Sequence, residues 1–328
     1  MDTIFDIQTE KDFLSASLRT FRYQYQNVEI YRRFVDYLNI NPDEVDELVK
    51  IPFLPIEMFK NHQIIDKNVK AELFFQSSGT TQMNLSKHFI ADEDLYKQSI
   101  YKSFSEFIGK PEDFIFLGLL PSYLERQNSS LIYMVDYLMK KSGKPENGYF
   151  LYNHEDLFAL LNKLEDKKVI LFGVSFALLD FIDYCHSERS DESLNFMEDL
   201  IVIETGGMKG RKEEMTKDEL LKILQEGFKT EKIYSEYSMT ELLSQAYSLG
   251  NNEYQCPSWM KIMIRNAEDP FNYEKAGRTG AINIIDLANV HSCAFIATQD
   301  LGKIVGDKFQ VLGRIDHSDI RGCSLLVS

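Results

Sequence analysis

Apolar residues recur at three- and four-residue spacing over residues 11–38, where Phe13, Leu14, Leu18, Phe21, Tyr25, Ile30, Phe34, Val35 and Leu38 fall on shared helical faces. The pattern predicts a helical region broken near Asn27. Asn41-Pro42 then interrupts it, and Pro42 opens another short helix with Asp43 to Glu47 near its positive end. Ile51-Pro52-Phe53-Leu54-Pro55 reads as an extended linker, because each proline pushes its predecessor out of the helical region. Residues 1–70 are therefore expected to be a helical lead-in whose aromatics serve as core.

Further along, apolar runs of strand length alternate with helical stretches. Residues 114–120, 148–152, 169–172 and 200–203 read as strands. Helices are expected over 94–108, from Ser129 or Ser130 to about Met139, over 154–164, and after Gly173 through Ile182. Strands with few polar interruptions, alternating with helices, imply a largely parallel sheet covered on both faces. Residues 71–255 are thus expected to be an α/β core. From Cys256 onward short strands are separated by turns such as Gly277-Arg278-Thr279-Gly280, which predicts a small antiparallel, barrel-like unit over 256–328.

Composition narrows the partners more than the fold. The chain has 328 residues, 44% hydrophobic and 27% charged, enough for one large or two modest domains with a real core. A formal charge of −15 argues against a nucleic acid or an anionic membrane as partner. No run approaches the roughly 18–20 apolar residues of a membrane span, and Met1-Asp2-Thr3-Ile4-Phe5-Asp6 lacks the basic start of a signal peptide. Cys185, Cys256, Cys293 and Cys323 form no Cys-x-x-Cys pair and, with the histidines, no metal-ligand spacing. A reducing cytoplasm is the expected compartment. Cys185 and Cys293 lie in apolar runs and read as buried; lone His88 and His154 read as structural.

Candidate chemistry collects where strands end, as it does in open α/β sheets. Gln76-Ser77-Ser78-Gly79-Thr80-Thr81 follows the apolar run Leu73-Phe74-Phe75. Its small hydroxyl residues and glycine would crowd donors toward one point, as a triphosphate requires. The strand over 200–203 runs into Glu204-Thr205-Gly206-Gly207, a turn whose glycines let a flat ligand approach the backbone. Lys232-Ile233-Tyr234 leads to Ser235-Glu236-Tyr237-Ser238-Met239-Thr240-Glu241, which supplies a ring to stack on, a hydroxyl and a carboxylate able to hold a divalent cation. Gly173, Val174 and Ser175 are candidates for lining an acyl pocket.

Taken in order, these motifs resemble those of the adenylate-forming superfamily of acyl-CoA synthetases and firefly-type luciferases. The resemblance implies that Ser77, Ser78, Gly79, Thr80 and Thr81 form the phosphate loop for ATP, and that Gly206 and Gly207 line adenine and ribose. It also implies that Tyr237 stacks on adenine, Thr240 contacts phosphate and Glu241 holds Mg2+. Thr298-Gln299-Asp300 is similar to the segment whose aspartate binds the ribose hydroxyls, and Gly313-Arg314-Ile315-Asp316 to the one whose arginine contacts the nucleotide and whose aspartate marks a hinge. The chain departs from the pattern at Gln82-Met83-Asn84-Leu85, where Gly-x-Pro-Lys is usual, and at Ser238 and Gln299, where glycine is usual. Ordinary members continue into a C-terminal lid domain with a catalytic lysine, and here that domain is expected to be absent.

Pro121-Ser122-Tyr123-Leu124-Glu125-Arg126, Ser129-Ser130-Leu131 and Arg321-Gly322-Cys323-Ser324-Leu325-Leu326 resemble a narrower branch, the acyl-protein synthetases of the bacterial fatty-acid reductase complex. That resemblance implies ATP-dependent adenylation of a fatty acid, acyl transfer to Cys323, and passage to a partner protein's cysteine. Arg321 and His317, neighbours in sequence, would favour a Cys323 thiolate. Two alternatives remain open: an acyl-CoA ligase similar to phenylacetate-CoA ligases, and a non-catalytic nucleotide-binding scaffold that docks to a partner.

Overall fold

The computed structural model describes residues 4–77, 85–121, 128–164, 166–188, 199–206 and 215–315. Its helices are α1 (Glu10–Asn27), α2 (Glu29–Tyr37), the single-turn α3 (Met58–Asn61), α4 (Glu93–Phe107), α5 (Ser130–Ser142), α6 (His154–Lys163), α7 (Ser175–Glu188) and α8 (Lys217–Phe228). Its strands begin with β1 (Leu54–Pro55), β2 (Leu73–Gln76), β3 (Lys87–Ile90), β4 (Ile115–Leu119), β5 (Gly148–Phe150), β6 (Val169–Val174) and β7 (Leu200–Thr205). They continue with β8 (Ile233–Tyr237), β9 (Ala246–Ser248), β10 (Tyr254–Gln255), β11 (Met260–Arg265), β12 (Gly280–Asp286), β13 (Phe295–Val305) and β14 (Lys308–Arg314). The chain divides into two compact units, one built from Met1–Asn68 with Ser258–Ser328, the other from the uninterrupted stretch Val69–Pro257.

In the first unit the N-terminal helices and the C-terminal strands share one core. Thr9 and Asp12 form a reciprocal capping box that starts α1, which buries Phe13, Ala16, Ser17, Thr20, Phe21 and Gln24 along one face. The expected break is present: Val28 is extended and separates α1 from α2. Strands β11 to β14 pair antiparallel in sequence order, and β1 adds in parallel to the first part of β13. Phe295, at the start of β13, meets the rings of Phe21, Tyr31 and Phe53 at 6.4, 6.0 and 6.1 Å. Buried Gln24 satisfies both ends of its amide there: Nε2 donates to the carbonyls of Asn289 and Val290, and Oε1 accepts from the Ala294 N–H. A buried amide so fully bonded costs little and fixes the helix against one register of the strand.

The second unit is a doubly covered α/β sheet with strand order β5-β4-β6-β7-β8-β9-β10. The first four pairings are parallel and the last two antiparallel. Every residue of β4 and β6 is buried, which is why both strands read as unbroken apolar runs. Gly118 permits a close lateral contact, since a β-carbon there would lie 2.6 Å from the Tyr149 ring. Strands β2 and β3 form a separate antiparallel hairpin. The sequence reading missed β3, whose four residues Lys-His-Phe-Ile are too short and mixed to carry a period. It also ended β8 at Tyr234, whereas the strand continues through Tyr237. Among the described residues no helix is long and apolar enough to cross a membrane.

Cys185 and Cys293 are buried, and Cys256 is partly exposed. Burial pushes the Cys293 thiol up from about 9 to about 12, and its Sγ lies 3.3 Å from the Phe295 carbonyl. The folded state therefore keeps a proton that the unfolded chain loses above the ordinary thiol value. Stability from this group is complete below about pH 9 and is lost as pH rises toward about 12. A Cys293→Ala variant is expected to lose less stability over that alkaline range, measured by denaturant midpoints. In the native wild type, Cys293 and Cys185 should resist a thiol reagent until the protein unfolds.

Candidate active site

Three of the strand-end motifs lie in the Val69–Pro257 unit, and two of them are joined by a buried side chain. The hairpin β2–β3 brackets the serine/threonine/glycine loop, with Ser77 and Ser86 on its two sides. The Ser77 N–H donates to the Ser86 carbonyl at 3.0 Å, and the Ser86 N–H donates to Ser77 Oγ at 3.0 Å. Gln76 N–H donates to the Asn128 carbonyl at 2.9 Å, just ahead of the Ser129 cap of α5. Ser78, Gly79, Thr80 and Thr81 lie outside the described residues. On β3, fully buried His88 places Nδ1 2.9 Å from the Thr240 carbonyl. A carbonyl only accepts, so Nδ1 carries the proton. His88 is thus the link from the hairpin to the Tyr-Ser-Met-Thr-Glu segment.

That segment leaves the sheet at the end of β8. Tyr237 is half-buried, with its ring 5.9 Å from that of Tyr254. Thr240 is half-buried and Glu241 is buried, in a loop tied to α4 by the Ser99 and Ser244 hydroxyls at 3.2 Å. The neighbouring strand β7 runs parallel, with Thr205 opposite Glu236 in register. Gly206 therefore follows β7 at the level where Tyr237 closes β8. Gly206 has φ +74°, the left-handed region that glycine enters without steric cost. Gly207 lies outside the described residues. Thr205 Oγ1 donates to Glu236 Oε2 at 2.6 Å, and burial pushes the Glu236 carboxyl above its ordinary value.

Asp300 and Arg314 belong to the other unit. They are register partners across β13 and β14, and Arg314 Nε donates to Asp300 Oδ1 at 3.2 Å. Asp300 is nearly buried, its N–H donating to Thr298 Oγ1 at 3.1 Å, while the Arg314 side chain is 81% exposed. Gln299, standing where glycine is usual, donates through Nε2 to Glu57. Cys323 and Asp316 lie outside the described residues.

Gly173, Val174 and Ser175 are all fully buried, and a β-carbon on Gly173 would meet Leu178 at 2.6 Å. His154 packs against the rings of Phe181 and Tyr184 at 5.7 and 5.6 Å, and burial lowers its pKa. Two polar side chains went unnoticed in the sequence: Glu204, buried at the end of β7, and Lys217, its ion-pair partner at the start of α8. The available signal was a lone carboxylate ending an apolar strand.

Residues 135–328 match the family described as Acyl-protein synthetase, LuxE. The chain belongs to this family. No curated protein matches it. Among solved structures, a 2-hydroxyisobutyryl-CoA ligase in an open conformation with 2-HIB-AMP and CoA shares 13% identity, covers 94% of this chain and 70% of that one, and superposes with a TM-score of 0.71. ATP-bound MatB from Rhodopseudomonas palustris shares 15% identity over 74% of this chain and 47% of that one, at a TM-score of 0.54. The luciferase-like enzyme of the nonluminescent mealworm Zophobas morio shares 13% over 85% and 62%, at 0.54. The acyl-protein synthetase chain thus has the α/β fold of the adenylate-forming superfamily.

Proposed function

We propose that this acyl-protein synthetase family member activates a carboxylic acid, a fatty acid in the first instance, with ATP as acyl-AMP. It then passes the acyl group to a protein thiol. The observation that carries the reading is the His88 hydrogen bond to the Thr240 carbonyl, which ties the hairpin of the proposed phosphate loop to the segment proposed to hold phosphate and cation. Beside it, Gly206 and Tyr237 stand at the ends of adjacent parallel strands, where such sheets take ligands.

A carboxylate is unreactive toward thiols because its leaving group would be oxide. Attack of its oxygen on the α-phosphorus forms a new P–O bond and breaks the bond to pyrophosphate. The carbonyl then carries AMP as leaving group. A thiolate, its proton given up to solvent, attacks that carbonyl and expels AMP to give the thioester. In this scheme Tyr237 stacks on adenine, and Ser77 to Thr81 with Thr240 supply hydroxyl and N–H donors to the phosphates. Asp300 and Arg314 keep the ribose and nucleotide roles that the resemblance gives them. Among the described residues no group of three or more His, Cys, Asp or Glu could hold a metal. A single buried carboxylate beside a hydroxyl, Glu241 with Thr240, nonetheless fits Mg2+, which takes one or two carboxylates plus substrate phosphates. Mg2+ there would supply charge neutralisation of the phosphates. The buried thiols of Cys185 and Cys293 agree with a reducing compartment.

The test is pyrophosphate release with ATP, Mg2+ and a panel of carboxylic acids, with intact-protein mass recorded in parallel. Pyrophosphate with an acyl adduct on the protein is the expected result. The similarity to a CoA-bound ligase favours one other acceptor, so CoA is added in a separate arm. Acyl-CoA without an adduct would move the chain to the acyl-CoA ligases. Neither product, with ATP still bound, would leave the scaffold.

A further inference from the structure

Glu204, the penultimate residue of β7, has a side chain that is 0% exposed, and both of its oxygens are occupied. Lys217 Nζ, from the first residue of α8, bonds to Oε1. Ser175 Oγ, from the first residue of α7, lies 3.0 Å from Oε2 and 3.3 Å from the carbonyl oxygen of Gly206. Lys217 is 18% exposed in its side chain. Burial works against its charge, yet Glu204 and Tyr254 hold its pKa above the ordinary lysine value. Four elements (β7, α7, α8 and β10) thus converge on one buried carboxylate.

Such a pair gives little net stability, because removing two charges from water offsets their attraction. What it does give is direction. Glu204 faces Ser175 and Lys217, and Thr205, pointing to the opposite face of the strand, donates to Glu236. The next residue, Gly206, has its carbonyl 3.3 Å from Ser175 Oγ, whose one proton it shares with Glu204 Oε2. Three successive residues are therefore held by side chains, the third being where the backbone enters φ +74°.

We propose that Ser175, Glu204 and Lys217 are positioning residues that fix the backbone of Gly206 for the nucleotide. The inference rests on the reading that Gly206 takes part in ATP binding. Ser175 is the component that touches the Gly206 carbonyl, and Lys217 holds Glu204 so that its second oxygen stays aimed at Ser175. Ser175 and Lys217 act through Glu204 and Gly206, so ATP affinity should fall by a larger factor than the acid's KM changes.

The experiment compares wild type, Ser175→Ala, Lys217→Arg and Lys217→Met by direct ATP binding in the presence of Mg2+, by thermal unfolding, and by KM for ATP and for the acid. Ser175→Ala should fold, melt a few degrees below wild type because a buried carboxylate oxygen loses its donor, and bind ATP about three- to tenfold more weakly, a larger change than in the acid's KM. Lys217→Arg, which keeps the cation, should retain most of the affinity. Lys217→Met should weaken ATP binding further if it folds, and Ser175→Ala decides the matter if it does not. ATP binding by folded Ser175→Ala equal to wild type would overturn the proposal while leaving the proposed activity standing. No ATP binding by wild type would overturn both.

Discussion

Cys323→Ser is expected to eliminate the covalent acyl adduct while leaving first-turnover pyrophosphate release in place. The two half-reactions use different nucleophiles. Adenylation needs the carboxylate oxygen and the phosphate environment, and no protein thiol enters it. Capture of the acyl group needs a nucleophile that is partly ionised near neutral pH. A cysteine thiol is a few per cent thiolate at pH 7 even unassisted, whereas a serine hydroxyl without a base is not ionised at all. Intact-protein mass after incubation with ATP, Mg2+ and a competent acid would read both outcomes, with released pyrophosphate as the internal control. An adduct that persists in Cys323→Ser would move the acceptor to another residue. Among the described thiols Cys256 would then be the first to test, since Cys185 and Cys293 are buried.

Glu241→Gln should lower the rate of adenylation by about 100-fold or more, the scale of losing one preorganised electrostatic contact in a transition state. The amide keeps the volume and one acceptor oxygen but removes the charge that would hold Mg2+ beside the phosphates. The deficit should shrink as the Mg2+ concentration is raised, and Glu241→Asp should recover part of the rate. KM for the acid should be unchanged. Glu241 is buried, so thermal unfolding of each variant belongs beside the kinetics. A Glu241→Gln enzyme that melts like wild type and adenylates at the wild-type rate would remove the cation role from this residue.

Much of the second unit was legible because its strands are buried on both faces. Runs such as Val169 to Phe172 carry no polar residue and stand out without any period. The helices were legible through their ends: Ser129 and Gly143 bound α5 by capping chemistry that the sequence states outright. Short pairings were not. Strands β3, β9 and β10 are two to four residues long, and such strands exist because a partner is present rather than because their own residues prefer extension. The candidate site divides the same way. Motif order singled out Tyr237, Thr240 and Glu241, which fall within five residues of sequence. The Glu204–Lys217 pair was invisible because its members come from different elements, and nothing local in Lys217-Asp218-Glu219 separates a buried lysine from a solvated one. The union of the N-terminal helices with the C-terminal strands was likewise beyond reach, since the contacts of Gln24 with Asn289, Val290 and Ala294 span the whole intervening chain.

That last feature bears on how the polypeptide matures on the ribosome. Strands β2 to β9 find all their pairing partners within Val69–Pro257 and have them as soon as that stretch emerges. The N-terminal helices do not: Phe21 and Tyr31 wait for Phe295, and at about 5–20 residues per second the interval lasts on the order of 13–55 s. Throughout that time an aromatic face is exposed beside a unit that is already folding. Helices α1 and α2 are therefore buried long after they are synthesised, and the chain's need for chaperones should concentrate on them. Trp259, packed edge-on against Phe5 at 4.8 Å, sits where that final closure occurs and provides its natural optical signal.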